Sequence, residues 1–130
     1  MARMEPTDSP LVAIVDDDEL FRRSIERLVH LSGFGVESFS SAEDFLERCD
    51  IDRTACAILD LKLPGMSGLD LQRRIIARPR PMPIVFVSAH ADDVTRTNAL
   101  RAGAIAFLNK PFDDSTLLDA LERSVRNQER

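Results

Sequence analysis

Cysteine and histidine are scarce in this chain: two of each in 130 residues, with no tryptophan and no tyrosine. Cys49 and Cys56 do not form a CxxC pair, and no cysteine–histidine cluster suggests zinc. Both read as reduced cysteines, Cys56 buried within an apolar strand. His30 and His90 are too isolated in sequence to suggest a metal site. No apolar run approaches the length of a membrane helix, and the N-terminal "MARMEPTDSP" lacks the apolar stretch of a signal peptide. The expectation is a cytoplasmic protein with no membrane partner. Positive charge is in deficit, 17 Lys+Arg against 22 Asp+Glu for a formal net charge of −5. That balance argues against non-specific binding to nucleic acid or anionic membrane. Internal repeats and low-complexity segments are absent.

Hydrophobic residues at 44% and charged residues at 30% fit a single folded domain with a real core. Residues 1–10 read as a flexible tail, 11–126 as the domain and 127–130 as a C-terminal end. Within the domain, short apolar runs alternate with amphipathic ones. "LVAIV" (11–15), "ACAIL" (55–59), "IVFV" (84–87) and "IAFL" (105–108) lack period-two alternation, as strands buried on both faces do. "GVESF" (35–39) alternates like a more exposed strand.

Helices are expected between these strands. The first runs over about 19–32, with Phe21, Ile25, Leu28 and Val29 on one face and Gly33 closing it. The second opens on a capping box formed by Ser40 and Glu43. Ser67 caps a third that runs to about 77, and "RPRPMP" (78–83) reads as a stiff loop. A weakly apolar helix covers about 91–102. The last starts near 113, with Leu117, Leu118, Leu121 and Val125 on one face. Five strands alternating with five helices imply a parallel sheet with helices on both faces. Ligands of such sheets bind at the carboxyl ends of the strands, where strand order reverses.

Those ends are polar. Asp16 and Asp17 follow the first strand, Asp60 the third, Ser88 the fourth and Lys110 the fifth. A parallel sheet brings them to one edge. Carboxylates crowded into one crevice repel one another unless a hard cation joins them, and oxygen ligands of this kind suit Mg²⁺, or Mn²⁺ in its place. With a lysine and a hydroxyl opposite, such a site can take a phosphoryl group onto a carboxylate. Asp18 or Glu19 is better explained as a helix cap or first-turn acid than as a ligand.

The motifs "IVDDD" (14–18), "ILDLKLPGMSG" (58–68), "VSA" (87–89) and "FLNKPF" (107–112), in this order, closely resemble the response-regulator receiver domains of two-component signalling. The segments "SAEDFL" and "AGAIAFLNKPFDD" look most like the FixJ-type subgroup. The resemblance covers about 11–126. It implies a flavodoxin-like (βα)5 sandwich of three layers, with a five-stranded parallel sheet in the order 2-1-3-4-5. It implies a phosphorylation-activated switch rather than an enzyme acting on an external metabolite. Asp60 would accept the phosphoryl group from a histidine kinase or phosphotransfer protein. Asp16, Asp17, Asp60 and the backbone carbonyl of Lys62 would hold Mg²⁺, Asp16 mainly through its water. Lys110, with a cis bond to Pro111, would pair with the phosphoryl oxygens. Ser88 would move to donate to them, and Phe107 would swing from exposed to buried behind it. Lys62 and His90 would tune the lifetime of the phosphoryl group. A protein partner or a second copy would then dock on the surface formed by the fourth helix, fifth strand and fifth helix.

One enzyme reading competes. An apolar strand followed by D-x-D also opens haloacid-dehalogenase-type phosphatases, which here would use Asp16 and Asp18. It leaves Asp60 and "LPGMSG" unexplained and sets Lys110 too close to Asp113 and Asp114 for separate motifs. The chain is expected to be either a stand-alone receiver or the receiver part of a longer transcriptional regulator, with no direct contact to nucleic acid.

Overall fold

The computed structural model describes residues 9–128. Its elements in chain order are β1 (Leu11–Val15), α1 (Glu19–Leu31), β2 (Gly35–Phe39), α2 (Ala42–Arg48), β3 (Thr54–Asp60), α3 (Gly68–Ile76), β4 (Ile84–Ser88), α4 (Asp93–Arg101), β5 (Ala106–Asn109) and α5 (Asp114–Gln128). All strand pairings are parallel, in the order β2-β1-β3-β4-β5. The expected architecture and strand order are therefore present. The tail expected over 1–10 falls mostly on residues 1–8, outside the described residues. Pro10 already accepts a hydrogen bond from Gly35 N at 2.8 Å beside the β1–β2 pair.

The sheet separates two apolar layers. On one face Ile25 and Val29 of α1 and Leu117, Ala120 and Leu121 of α5 pack against Val12, Ile14, Cys56, Ile58, Val85 and Val87. On the other, α2, α3 and α4 contribute Phe45, Leu71, Ile75 and Ala99, against Ala13, Leu59, Phe86 and Phe107. Residues on both faces of the central strands are buried, which explains their unbroken apolar runs. Burying each Val, Leu, Ile or Phe side chain among them contributes roughly 1.5–3 kcal/mol. The α4 layer is thin by comparison: Ala99 is its buried residue, and Val94 and Leu100 face solvent.

Helix starts differ from expectation at two places. α4 begins at Asp93, capped by Asp92, rather than near residue 91. Ser41, not Ser40, caps α2 by accepting from Asp44 N at 3.0 Å, so the Ser40–Glu43 capping box does not form. Two adjacent serines offered two registers. The one that buries Ala42 and Phe45 prevailed. Ser67 caps α3 and Asp18 caps α1, as the sequence indicated. β3 and β4 each run one residue further than expected, which places Asp60 and Ser88 in the last register positions of their strands.

Candidate functional site

The site lies where β1 and β3 run side by side and their chains leave to opposite faces, α1 to one and α3 to the other. This is the point of reversal in the strand order. Carboxylate oxygens of Asp16, Asp17 and Asp60 lie within 4.8 Å of one another. Asp16 is 1% exposed and Asp60 8%, whereas Asp17 is open to solvent.

Each acid has a different environment. Both oxygens of Asp16 are engaged: Oδ1 accepts from Asp18 N at 2.8 Å, and Oδ2 pairs with Lys110 Nζ at 3.0 Å. The Asp16 carbonyl accepts from Arg22 Nη1 at 2.7 Å, which ties the loop to α1. Asp60 has only a long contact, from Lys62 N at 3.3 Å. Burial, followed by the charge of Asp16, pushes the Asp60 carboxyl up to about 6, against the pull of Lys110 and the Lys62 N–H. Of the three acids, Asp60 thus combines burial with a nearly unpartnered carboxylate. Asp17, among the described residues, has no ion pair and keeps its oxygens free.

Lys110 reaches across β4 to this cluster because its own N–H is fixed to Ser88 O at 2.8 Å at the end of the β4–β5 ladder. Its bond to Pro111 is cis. Its ammonium also lies 3.9 Å from the centroid of the Phe21 ring, which stacks edge-to-face on Phe112 at 6.1 Å. Ser88 is buried, and its hydroxyl donates to His90 O at 3.2 Å, toward its own loop rather than toward Asp60. Lys62 and His90 are exposed. Backbone N–H bonding at Thr95 holds the Asp92 carboxyl, the α4 cap, below its usual range, and the charge of Lys62 adds to this.

Phe107 differs from expectation. An exposed ring was expected in the resting site, but Phe107 is 4% exposed and tilted against Phe86 at 5.8 Å between centroids. Without a hydroxyl to keep hydrated, this ring gains nothing at the surface, and the sheet face offers it an apolar neighbour. Asp18 likewise turns away from the acids, accepting from Phe21 N at 3.2 Å as the α1 cap. The second acid of the D-x-D reading is therefore committed to the helix.

Three residues escaped sequence reading. Phe21 read only as the apolar face of α1, and Arg22 carried no signal of its own, yet one contacts Lys110 and the other the Asp16 carbonyl. Glu43, read as half of a capping box, instead accepts from Met66 N at 2.9 Å in the loop after Asp60.

Residues 12–122 match the family model of the response regulator receiver domain. The chain belongs to this family. The receiver is 39% identical over 117 residues to Nodulation protein W of Bradyrhizobium diazoefficiens, covering 90% of this chain and 52% of that protein. It is 34% identical over 118 residues to the transcriptional regulatory protein FixJ of the same organism, covering 91% and 58%. Among solved structures, the response regulator StyR superposes with a TM-score of 0.84 at 42% identity, covering 91% of the receiver and 60% of that chain. The receiver spans about half the length of the curated relatives it matches. FixJ-type relatives agree with the subgroup that "SAEDFL" and "AGAIAFLNKPFDD" resembled. Receiver domains are phosphorylation-controlled signalling switches, and the phosphatase reading finds no support. No helix among the described residues is long and apolar enough to cross a membrane.

Proposed function

We propose that Asp60 is the phosphoacceptor of this receiver and that residues 11–126 form the switching unit. The observation that carries the assignment is the Asp60 carboxylate itself: buried at the end of β3, nearly unpartnered, and beside two acids and one lysine. Asp16, Asp17 and Asp60 fit a hard divalent cation, because three clustered carboxylates leave a negative excess that Lys110 only partly offsets. Mg²⁺, or Mn²⁺, would be held by Asp17 and Asp60, by the Lys62 carbonyl and by Asp16, the last through water, since both its oxygens are engaged. When bound, the ion supplies positive charge to the incoming phosphoryl oxygens.

The chain supplies the rest. An Asp60 oxygen forms the new bond to phosphorus as the bond to the donor imidazole of a histidine kinase or phosphotransfer protein breaks, the imidazole keeping the electron pair. Lys110 turns from Asp16 toward the phosphoryl oxygens. Ser88 rotates from His90 O to donate to them. Lys62 and His90, exposed beside the site, control the approach of hydrolytic water and so the lifetime of the phosphoryl group. The domain turns over no external metabolite and works in the cytoplasm. Its phosphorylated form offers the α4–β5–α5 face to a downstream protein or a second copy.

Acetyl phosphate with Mg²⁺ should add one acid-labile phosphoryl group to the receiver, read by intact mass. Asp60→Asn should add none. Labelling of that variant at the parent level, or mapping of the phosphate to Asp16, would overturn the assignment.

A further inference from the structure

Glu43 is an exposed residue of α2, outside the acid cluster, and its side chain reaches a loop remote in sequence. Its Oε2 accepts from Met66 N at 2.9 Å across 23 positions. The loop it holds leaves Asp60, passes Lys62 and ends at Ser67, the cap of α3. The neck of this loop is closed by its own backbone, with Gly68 N donating to Leu61 O at 2.9 Å and Leu61 N donating to Val87 O at 3.2 Å. The far end has no such closure. Pro64 and Gly65 are exposed, and Gly65 sits at φ +76. There the backbone passes so near Glu43 that a Cβ on Gly65 would lie 2.6 Å from its Oε2.

An exposed acid that takes a backbone N–H from another element is fitted to that loop. Its neighbours on α2 do otherwise: Asp44 pairs with Arg48 of the same helix, and Glu47 is solvated. We propose that Glu43 is a positioning residue for the cation site, holding the loop so that the Lys62 carbonyl stays aimed at the metal beside Asp60. This rests on the receiver reading, because it presumes that Lys62 completes the site. The hydrogen bond fixes the distal end of the loop while the Gly68–Leu61 bond fixes its neck, and Lys62 lies between the two anchors. Without Glu43 the carbonyl would sample other directions, and cation binding would bear the cost of ordering it. An acceptor oxygen is what the contact requires, so a glutamine carbonyl should serve where alanine does not.

The test titrates Mg²⁺ alone into the full chain, following backbone amide shifts of Asp60, Lys62 and Met66, with thermal melts of each metal-free variant. Glu43→Ala should weaken Mg²⁺ binding about three- to tenfold with a melting temperature close to the parent. Glu43→Gln should bind within about twofold of the parent. In acetyl phosphate kinetics at fixed low Mg²⁺, Glu43→Ala should lose labelling rate, and saturating Mg²⁺ should restore it. Parental Mg²⁺ affinity in Glu43→Ala, or a loss in Glu43→Gln equal to that in Glu43→Ala, would overturn the proposal. If the parent chain itself bound no Mg²⁺, the receiver reading would fail instead, and that outcome is visible before any Glu43 variant is made.

Discussion

Asp60 is costly to ionise in the metal-free receiver. Its carboxyl is pushed up to about 6 from an ordinary 3.8, first by burial and then by Asp16. An acid with a raised folded pKa binds its proton more tightly when folded. Its contribution to stability is therefore full below about 3.8 and is lost as pH rises through about 6. The metal-free parent, relative to Asp60→Asn, should lose stability between about pH 4 and pH 6, then run parallel to it above. Denaturant melts of both proteins across that range check this, and saturating Mg²⁺ should reverse the loss. Curves that stay parallel from pH 4 to pH 7 would remove charge crowding from the account of the site. The other acids with resolved shifts, Glu43, Asp44 and Asp92, are all held below their usual range by hydrogen bonds and give the opposite slope. They cancel in the comparison because both proteins carry them.

Elements bring these residues together through contacts that a composition reading cannot value. Gly68 opens α3 directly beneath the site, and a Cβ there would lie 2.3 Å from the Asp60 carbonyl oxygen. No rotamer relieves a clash with backbone, so either α3 or the end of β3 must move. Gly68→Ala should destabilise the receiver by roughly 1–3 kcal/mol and slow labelling of Asp60. Chemical denaturation and mass-detected phosphorylation on one preparation report both. Parental values in each would mean that the helix slides at no cost. At the opposite extreme, α4 is held lightly. Its cap is Asp92, its buried residue is Ala99, and Gln72 Nε2 of α3 donates to Ala99 O at 3.0 Å. A helix anchored near its C-terminal end with an exposed N-terminal half is the element most easily displaced.

The whole molecule must convert a phosphoryl group on one edge into a changed face. Ser88 closes β4, which lies between the acids and β5, and it pairs in register with Asn109. Its rotation away from His90 O would free the loop that leads into α4. Phe107 is already buried in this structure. We propose that displacement of α4 and the start of α5 carries the output, a two-state equilibrium biased by phosphorylation. Beryllofluoride with Mg²⁺ should shift backbone resonances of α4, β5 and α5 as well as those of the acid cluster. In Ser88→Ala the cluster should still respond while α4 responds weakly. Changes confined to the cluster in the parent would leave this face without a role.

Sequence alone determined the layered α/β architecture, because unbroken apolar runs in β1, β3 and β4 require cover on both faces and the intervening segments carry helical periodicity. It also determined which residues meet: parallel strands must end on one edge, so Asp16, Asp17, Asp60, Ser88 and Lys110 converge whatever the details of packing. The helix cap was legible where one candidate stood alone, at Ser67, and at α1 the structure chose Asp18 over Glu19 as the cap. Ser40 and Ser41 stood side by side, and only the burial of Ala42 and Phe45 chose between them. Tertiary structure decided everything that depends on distances between elements. It gave Asp16 rather than Asp60 to Lys110, turned Ser88 toward His90, and packed Phe107 on Phe86. It also carried Glu43 from α2 to Met66. Local pattern records how a side chain sits on its own helix or strand. The partner it finds across a gap depends on helix placement to within an ångström, since a hydrogen bond fades within that distance.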